Sequence, residues 1–147
     1  MRALNIAKFI VNYSNLHNQS MTNLRLQKTL YYLFVLFFHQ FNKELFDDDF
    51  IALDYGPIVR EVYEYYKIYG KDEIKERLAD NTDLNNEEQE FLGAMLDRLS
   101  SYSVYDLVYS THQYEPWINT PRNEVMPHRD IINFHNRNGI TMYRGKR

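Results

Sequence analysis

Hydrophobic residues recur at helical spacing along nearly the whole chain. Leu4, Ile6, Ala7, Ile10 and Val11 share one side of a predicted helix over 3–14, and the polar run HNQS breaks the pattern. A second helix is predicted over 23–41. Thr22 stands at its N-cap, with Met21 and Leu26 at the positions of a hydrophobic staple. Leu26, Leu30, Leu33, Phe34, Phe37 and Phe41 recur along it, and Leu24, Tyr31, Val35, Leu36 and Phe38 fill most other directions. A helix apolar nearly all round is a buried, central one. At about 100° per residue, Arg25, Lys28, Tyr32 and His39 form one narrow polar stripe, while Gln27 points among the apolar side chains.

Beyond it, Asp47, Asp48 and Asp49 read as a solvated loop, and Phe50, Ala52 or Leu53, and Tyr55 suit a short extended segment. Pro57 fits the first position of a helix, and Gly56 before it allows a positive φ. The predicted helix 58–69 turns Ile58, Val59, Val62, Tyr65, Tyr66 and Tyr69 inward and Arg60, Glu64 and Lys67 outward. Tyr63 sits at the margin, Ile68 lies off the face, and Gly70 is the stop. A short charged helix is predicted over 72–79. Asn85 or Asn86 caps the next, whose core residues are Phe91, Leu92, Met95, Leu96 and Leu99. Ser103 and Asp106 form a capping arrangement for a helix carrying Val104, Leu107, Val108 and Thr111. An irregular stretch follows, and Pro127 opens a last helix over 128–136 with Ile131, Ile132 and Phe134 or His135 packed; 136–147 is a tail. The predicted fold is all-α: a single compact domain of six or seven helices around 23–41, with room for an extended segment near 50–55.

Length supports that reading, since 147 residues bury roughly 68–70% of the unfolded surface without help from a metal or disulfide. The chain has no cysteine, which removes disulfides, thiolate zinc sites and a cysteine nucleophile, and suits a reducing cytoplasm. The run Leu30 to Phe38 is the longest apolar one and falls far short of the roughly 20 residues of a membrane span. The opening MRALNIAKFIVNY is too short and polar for a leader. A soluble cytoplasmic protein is expected. The formal net charge of −3 provides no bulk attraction to nucleic acid. Aromatic content is high, at 16% with 13 tyrosines. Such rings mostly fill a core, and tyrosine also suits a binding face.

Candidate chemistry is thin. The histidines at 17, 39, 112, 128 and 135 form no helical metal pair, the glycines form no phosphate or dinucleotide loop, and no G-x-S-x-G occurs. No catalytic residue, metal site or cofactor is predicted. Two polar constellations stand out. In the stripe Arg25, Lys28, Tyr32 the ordinary role is to satisfy neighbouring loops, with Lys28 snorkelling. In STHQYEPW, His112 favours a helix C-terminus and Trp117 plugs the core beside Glu115. The outer side of 58–69, with Arg60, Tyr63, Glu64 and Lys67, is the first candidate for a partner. The stripe and the loop around His112 and Trp117 come after it.

Three blocks, MTNLRLQKTLYYL, LFDDDFIALDYGPIVREVYEYY and LVYSTHQYEPW, occur in this order. They resemble the Panacea domain, a family also described as SocA-like and phage-associated. The L-x-L-Q-K-x-L-Y-Y core and the Y-G-P-I-V turn carry the resemblance, and T-H-x-x-x-P-W supports it. It covers residues 1 to about 135 and leaves 136–147 outside. One departure is clear: Leu53 stands where the family often has a tryptophan, two before Tyr55. The resemblance implies a non-enzymatic antitoxin that neutralises a cognate toxin by direct protein–protein binding. It also implies two alternatives, a phage- or prophage-encoded inhibitor of a host defence system, anti-CRISPR-like, and an adaptor delivering a toxin to a ClpXP-type protease. Some members carry an added DNA-binding domain, which this chain is expected to lack. The expected partner is a protein, with no membrane and no nucleic acid. Gln27, Tyr55, Gly56, Pro57, His112 and Trp117 are the motif residues, expected to hold a binding surface and not to do chemistry.

Overall fold

The computed structural model describes residues 2–77 and 82–144. Among them are seven α-helices, α1 (Ala3–Leu16), α2 (Asn23–Phe41), α3 (Arg60–Tyr66), α4 (Asn86–Leu99), α5 (Val104–Thr111), α6 (Glu115–Ile118) and α7 (His128–Asn138). Three short strands join them: β1 (Phe50–Leu53), β2 (Gly56–Ile58) and β3 (Val125–Met126).

Helix α2 is the axis of the molecule. The Thr22 side chain accepts a hydrogen bond from the Arg25 N–H, and Asn42 in the left-handed region ends the helix. Leu26, Leu30, Tyr31, Tyr32, Leu33, Phe34 and Phe37 are buried, as the all-round apolar pattern requires. Helices α1, α3, α4, α5 and α7 pack around it. The caps of α4 and α5 are legible in the chain: Asn85 with Glu88, and Ser103 with Asp106, each form a complete capping box. No helix of the described residues is long and apolar enough to cross a membrane.

The fold is therefore mostly helical but not all-α. The strands form one antiparallel sheet in the order β2-β1-β3, with Ile51 opposite Ile58 and Phe50 opposite Met126. Pro57 corrects the helix expected from 58. It lies inside β2, and the helix begins only at Arg60 and gives way to a 3-10 turn, Lys67–Tyr69. The preset φ of proline suits a strand as well as a first helical turn, so the residue alone does not choose between them. The helix expected over 72–79 is absent over 72–77, and its last two positions lie outside the described residues. Tyr65 is exposed and not inward. The last helix runs past 136 to Asn138, and the following residues are bonded to the domain: Tyr114 Oη donates to the Thr141 carbonyl, and Ser110 pairs with both the N–H and the C=O of Tyr143.

Candidate partner-binding site

The three sequence blocks meet in one place. Gly56 turns the β1–β2 hairpin with φ +102°, a conformation glycine adopts freely. A Cβ there would stand 2.6 Å from Thr111 Oγ1 and 3.2 Å from Lys28 Cε. The second block thus sits directly against the first and third. Lys28 is fully buried and does not snorkel. Its Nζ donates to the Pro57 carbonyl at 2.7 Å, and burial lowers its pKa to about 7. Gln27 Oε1 accepts from the Val59 N–H at 2.9 Å, the first N–H ahead of α3, and Gln27 Nε2 donates to Asn23. Asn23 in turn donates to the Tyr63 carbonyl. The Q-K pair of α2 therefore holds the hairpin and the start of α3.

The third block clasps the hairpin on its other strand, β1. Trp117 Nε1 donates to the Leu53 carbonyl at 2.7 Å. His112 stacks on Trp117 with ring centroids 4.2 Å apart, and the Arg122 guanidinium lies 3.8 Å from the Trp117 ring. Arg122 also donates to the Trp117 and Thr120 carbonyls, a role the sequence reading did not assign. Burial lowers the His112 pKa, outweighing the Asp54 main chain that would raise it, so its position at the end of α5 does not keep it charged.

These bonds decide which expected partner residues are available. Lys28 and Tyr32 are buried, Tyr32 donating to the Leu107 carbonyl, and they offer nothing to another protein. Arg25 is half-buried, with its guanidinium on the Leu99 and Tyr102 carbonyls. These three residues thus tie α2 to β2, to α5 and to the end of α4 with the turn after it, and not only to loops. The outer side of α3 and of the 3-10 turn after it is different: Arg60, Glu64 and Lys67 are exposed and Tyr63 is half-buried. Tyr63 and Lys67 line a groove of about 630 Å³, together with Asn23, Leu24, Gln27, Leu53, Tyr55, Ile58, Gly70 and Lys71. Arg60 and Glu64 are not in its lining. Tyr55, a motif residue, is 65% exposed at the hairpin turn. Leu24 and Lys71 escaped the sequence reading. Leu24 was one apolar residue among many on α2, and only its 37% exposure sets it apart. Leu53, the departure from the family pattern, also falls in the groove.

No group of three or more histidine, aspartate or glutamate side chains able to hold a metal occurs among the described residues. The arrangement can present an apolar and aromatic hollow with ammonium groups at its edge.

A family model described as antitoxin SocA-like, Panacea domain, matches residues 26–118, well over half of the chain. The matched stretch contains all three motif blocks except the first residues of α2 and the turn before it. Comparison with curated proteins and with solved structures gave no match.

Proposed function

The chain belongs to the antitoxin SocA-like Panacea family, and from that premise we propose that it neutralises a cognate toxin by direct binding through the groove beside α3. The observation that carries this reading is the groove itself. Among the motif residues, Gln27, Pro57 and Trp117 commit polar groups to fixing the hairpin and α3, Gly56 allows the close approach and His112 stacks on Trp117; beside them lies a hollow edged by Tyr55, Tyr63 and Lys67. Large amphipathic rings with a polar rim are the usual make-up of interface hot spots.

The test is co-expression with the toxic product of the neighbouring reading frame. Tyr63→Ala combined with Lys67→Glu is expected to abolish rescue of growth. The folded state should survive, because one residue is exposed and the other half-buried, so the stability loss stays within about 1 kcal/mol. Full rescue by the folded double variant would remove this face. The same assay separates the alternatives. Rescue that disappears in a host without ClpXP points to an adaptor, and a defence protein captured in place of a toxin points to an anti-defence inhibitor.

A further inference from the structure

We infer that the groove takes an acidic amphipathic helix of the partner, with its apolar side chains inserted between Tyr55, Leu24 and Tyr63 and its carboxylates on Lys67 and Lys71. This rests on the reading of the groove as the partner-binding surface and specifies what fills it.

The main chain around the groove argues for a helix over an extended strand. Strand β2 is the edge of the sheet that borders the groove, β3 being the other edge, and edges are where an extended guest would pair. Here that edge is closed. Pro57 has no N–H to donate, and its carbonyl is already taken by Lys28 Nζ at 2.7 Å. The neighbouring main-chain groups are also used: the Leu53 carbonyl by Trp117, the Val59 N–H by Gln27 and the Tyr63 carbonyl by Asn23. A guest must satisfy its own backbone, and a helix does so internally.

Charge and shape supply the rest. The chain carries a formal charge of −3, yet the titratable ends lining the groove are those of Lys67 and Lys71 beside two tyrosines, with no carboxylate among the lining residues. The nearest acidic residues along the chain, Asp54, Glu64 and Asp72, lie outside that lining. A volume of about 630 Å³ suits two or three apolar side chains from successive turns of one helix face. Carboxylates flanking those side chains complement the lysines, which sets register and preference.

The experiment uses the whole protein and two labelled amphipathic 16-residue peptides, read by fluorescence anisotropy. Both carry leucine and phenylalanine at helical spacing; one has glutamate at every other position and its counterpart has lysine. The acidic peptide should bind at least about fivefold more tightly at low salt, since two exposed ion pairs are exchanged for repulsion, and the preference should shrink in high salt. Lys67→Glu with Lys71→Glu should reverse it. Tyr55→Ala, at an exposed turn, should weaken binding without disturbing the fold, and Tyr63→Ala should do so more strongly. Equal binding of both peptides, no binding of the acidic one, or binding indifferent to Tyr55→Ala would overturn the inference. If the peptides fail while Tyr63→Ala with Lys67→Glu still abolishes rescue, the groove stands as the toxin site and only the acidic helix falls.

Discussion

At the scale of single residues, Gly56 and Lys28 define one another. The +102° φ of Gly56 and the 2.6 Å approach of a Cβ to Thr111 Oγ1 leave no room for a side chain. Gly56→Val should destabilise the protein by roughly 1–3 kcal/mol from backbone strain, with the steric clash adding to it. Gly56→Ala should cost most of that, because the first carbon already collides; thermal unfolding of both variants checks it. Lys28 gives a pH signature. Burial holds its folded pKa near 7, below the ordinary lysine value of 10.5. Between those values the unfolded chain binds more protons than the folded one, so stability rises with pH across that window. Buried Tyr31, Tyr32 and Tyr114 act oppositely above about pH 10, where burial keeps them protonated in the fold after the unfolded chain has lost those protons. Denaturant unfolding should show stability increasing from pH 7 to 9, by at most about 1.4 kcal/mol per pH unit from this group, and declining beyond 10. Lys28→Met should flatten the first rise; an unchanged slope would mean that Lys28 stays charged in the fold.

At the scale of elements, the sequence spoke most clearly where one residue pattern has one structural meaning. The all-round apolar α2 and the capping boxes of α4 and α5 are such cases, since a side chain three residues on must close the cap. Phe34 shows how the pattern becomes energy: its ring packs against Phe46, Phe50 and His128 with centroids 4.6–5.4 Å apart. Phe34→Ala should cost about 3–5 kcal/mol, read as a fall in the denaturant midpoint. The sheet was hard to read for a matching reason. Gly56, Pro57 and Ile58 obey the rules for a helix start as well as those for a strand, and their pairing partner is fixed by tertiary contact. Strand β3 has two residues, too few for any alternation to register, and it joins β1 from more than seventy positions away. Much the same holds for the site. The outward face of the helix expected over 58–69 follows from angles along one helix, and of its four residues Tyr63 and Lys67 line the groove. Leu24, Leu53 and Lys71 come from other elements, and only the fold brings them to the same groove. On the sequence alone Lys28 suits snorkelling, because the acceptor that buries it is a carbonyl 29 residues on.

At the scale of the whole molecule, the residues after α7 separate what holds the fold from what meets a partner. Read from sequence they are a tail. In the structure the Gly139 carbonyl pairs with His135 Nδ1, the Thr141 carbonyl with Tyr114 Oη, and both main-chain groups of Tyr143 with Ser110. Arg144 reaches buried Asp106 at 3.5 Å and lies over Tyr102. Ile140 and Met142 wall a cavity of about 280 Å³ with Tyr32, Leu36 and Met95, so this segment shields the flank of α2. A chain ended at Asn138 loses two half-buried apolar side chains and several hydrogen bonds to buried groups. A loss of roughly 2–4 kcal/mol is expected, at about 25 cal/mol per Å² of apolar burial and about 1 kcal/mol per bond. None of the residues in these contacts lines the groove beside α3. The shortened protein should therefore melt at a lower temperature and bind a dye for exposed apolar surface, yet still rescue growth from the cognate toxin when cells are held well below that melting point. Lost rescue from a shortened protein that circular dichroism shows to be folded would mean that the segment touches the partner. Tyr109, Tyr143 and Arg144 would then have to be tested alongside Tyr63 and Lys67.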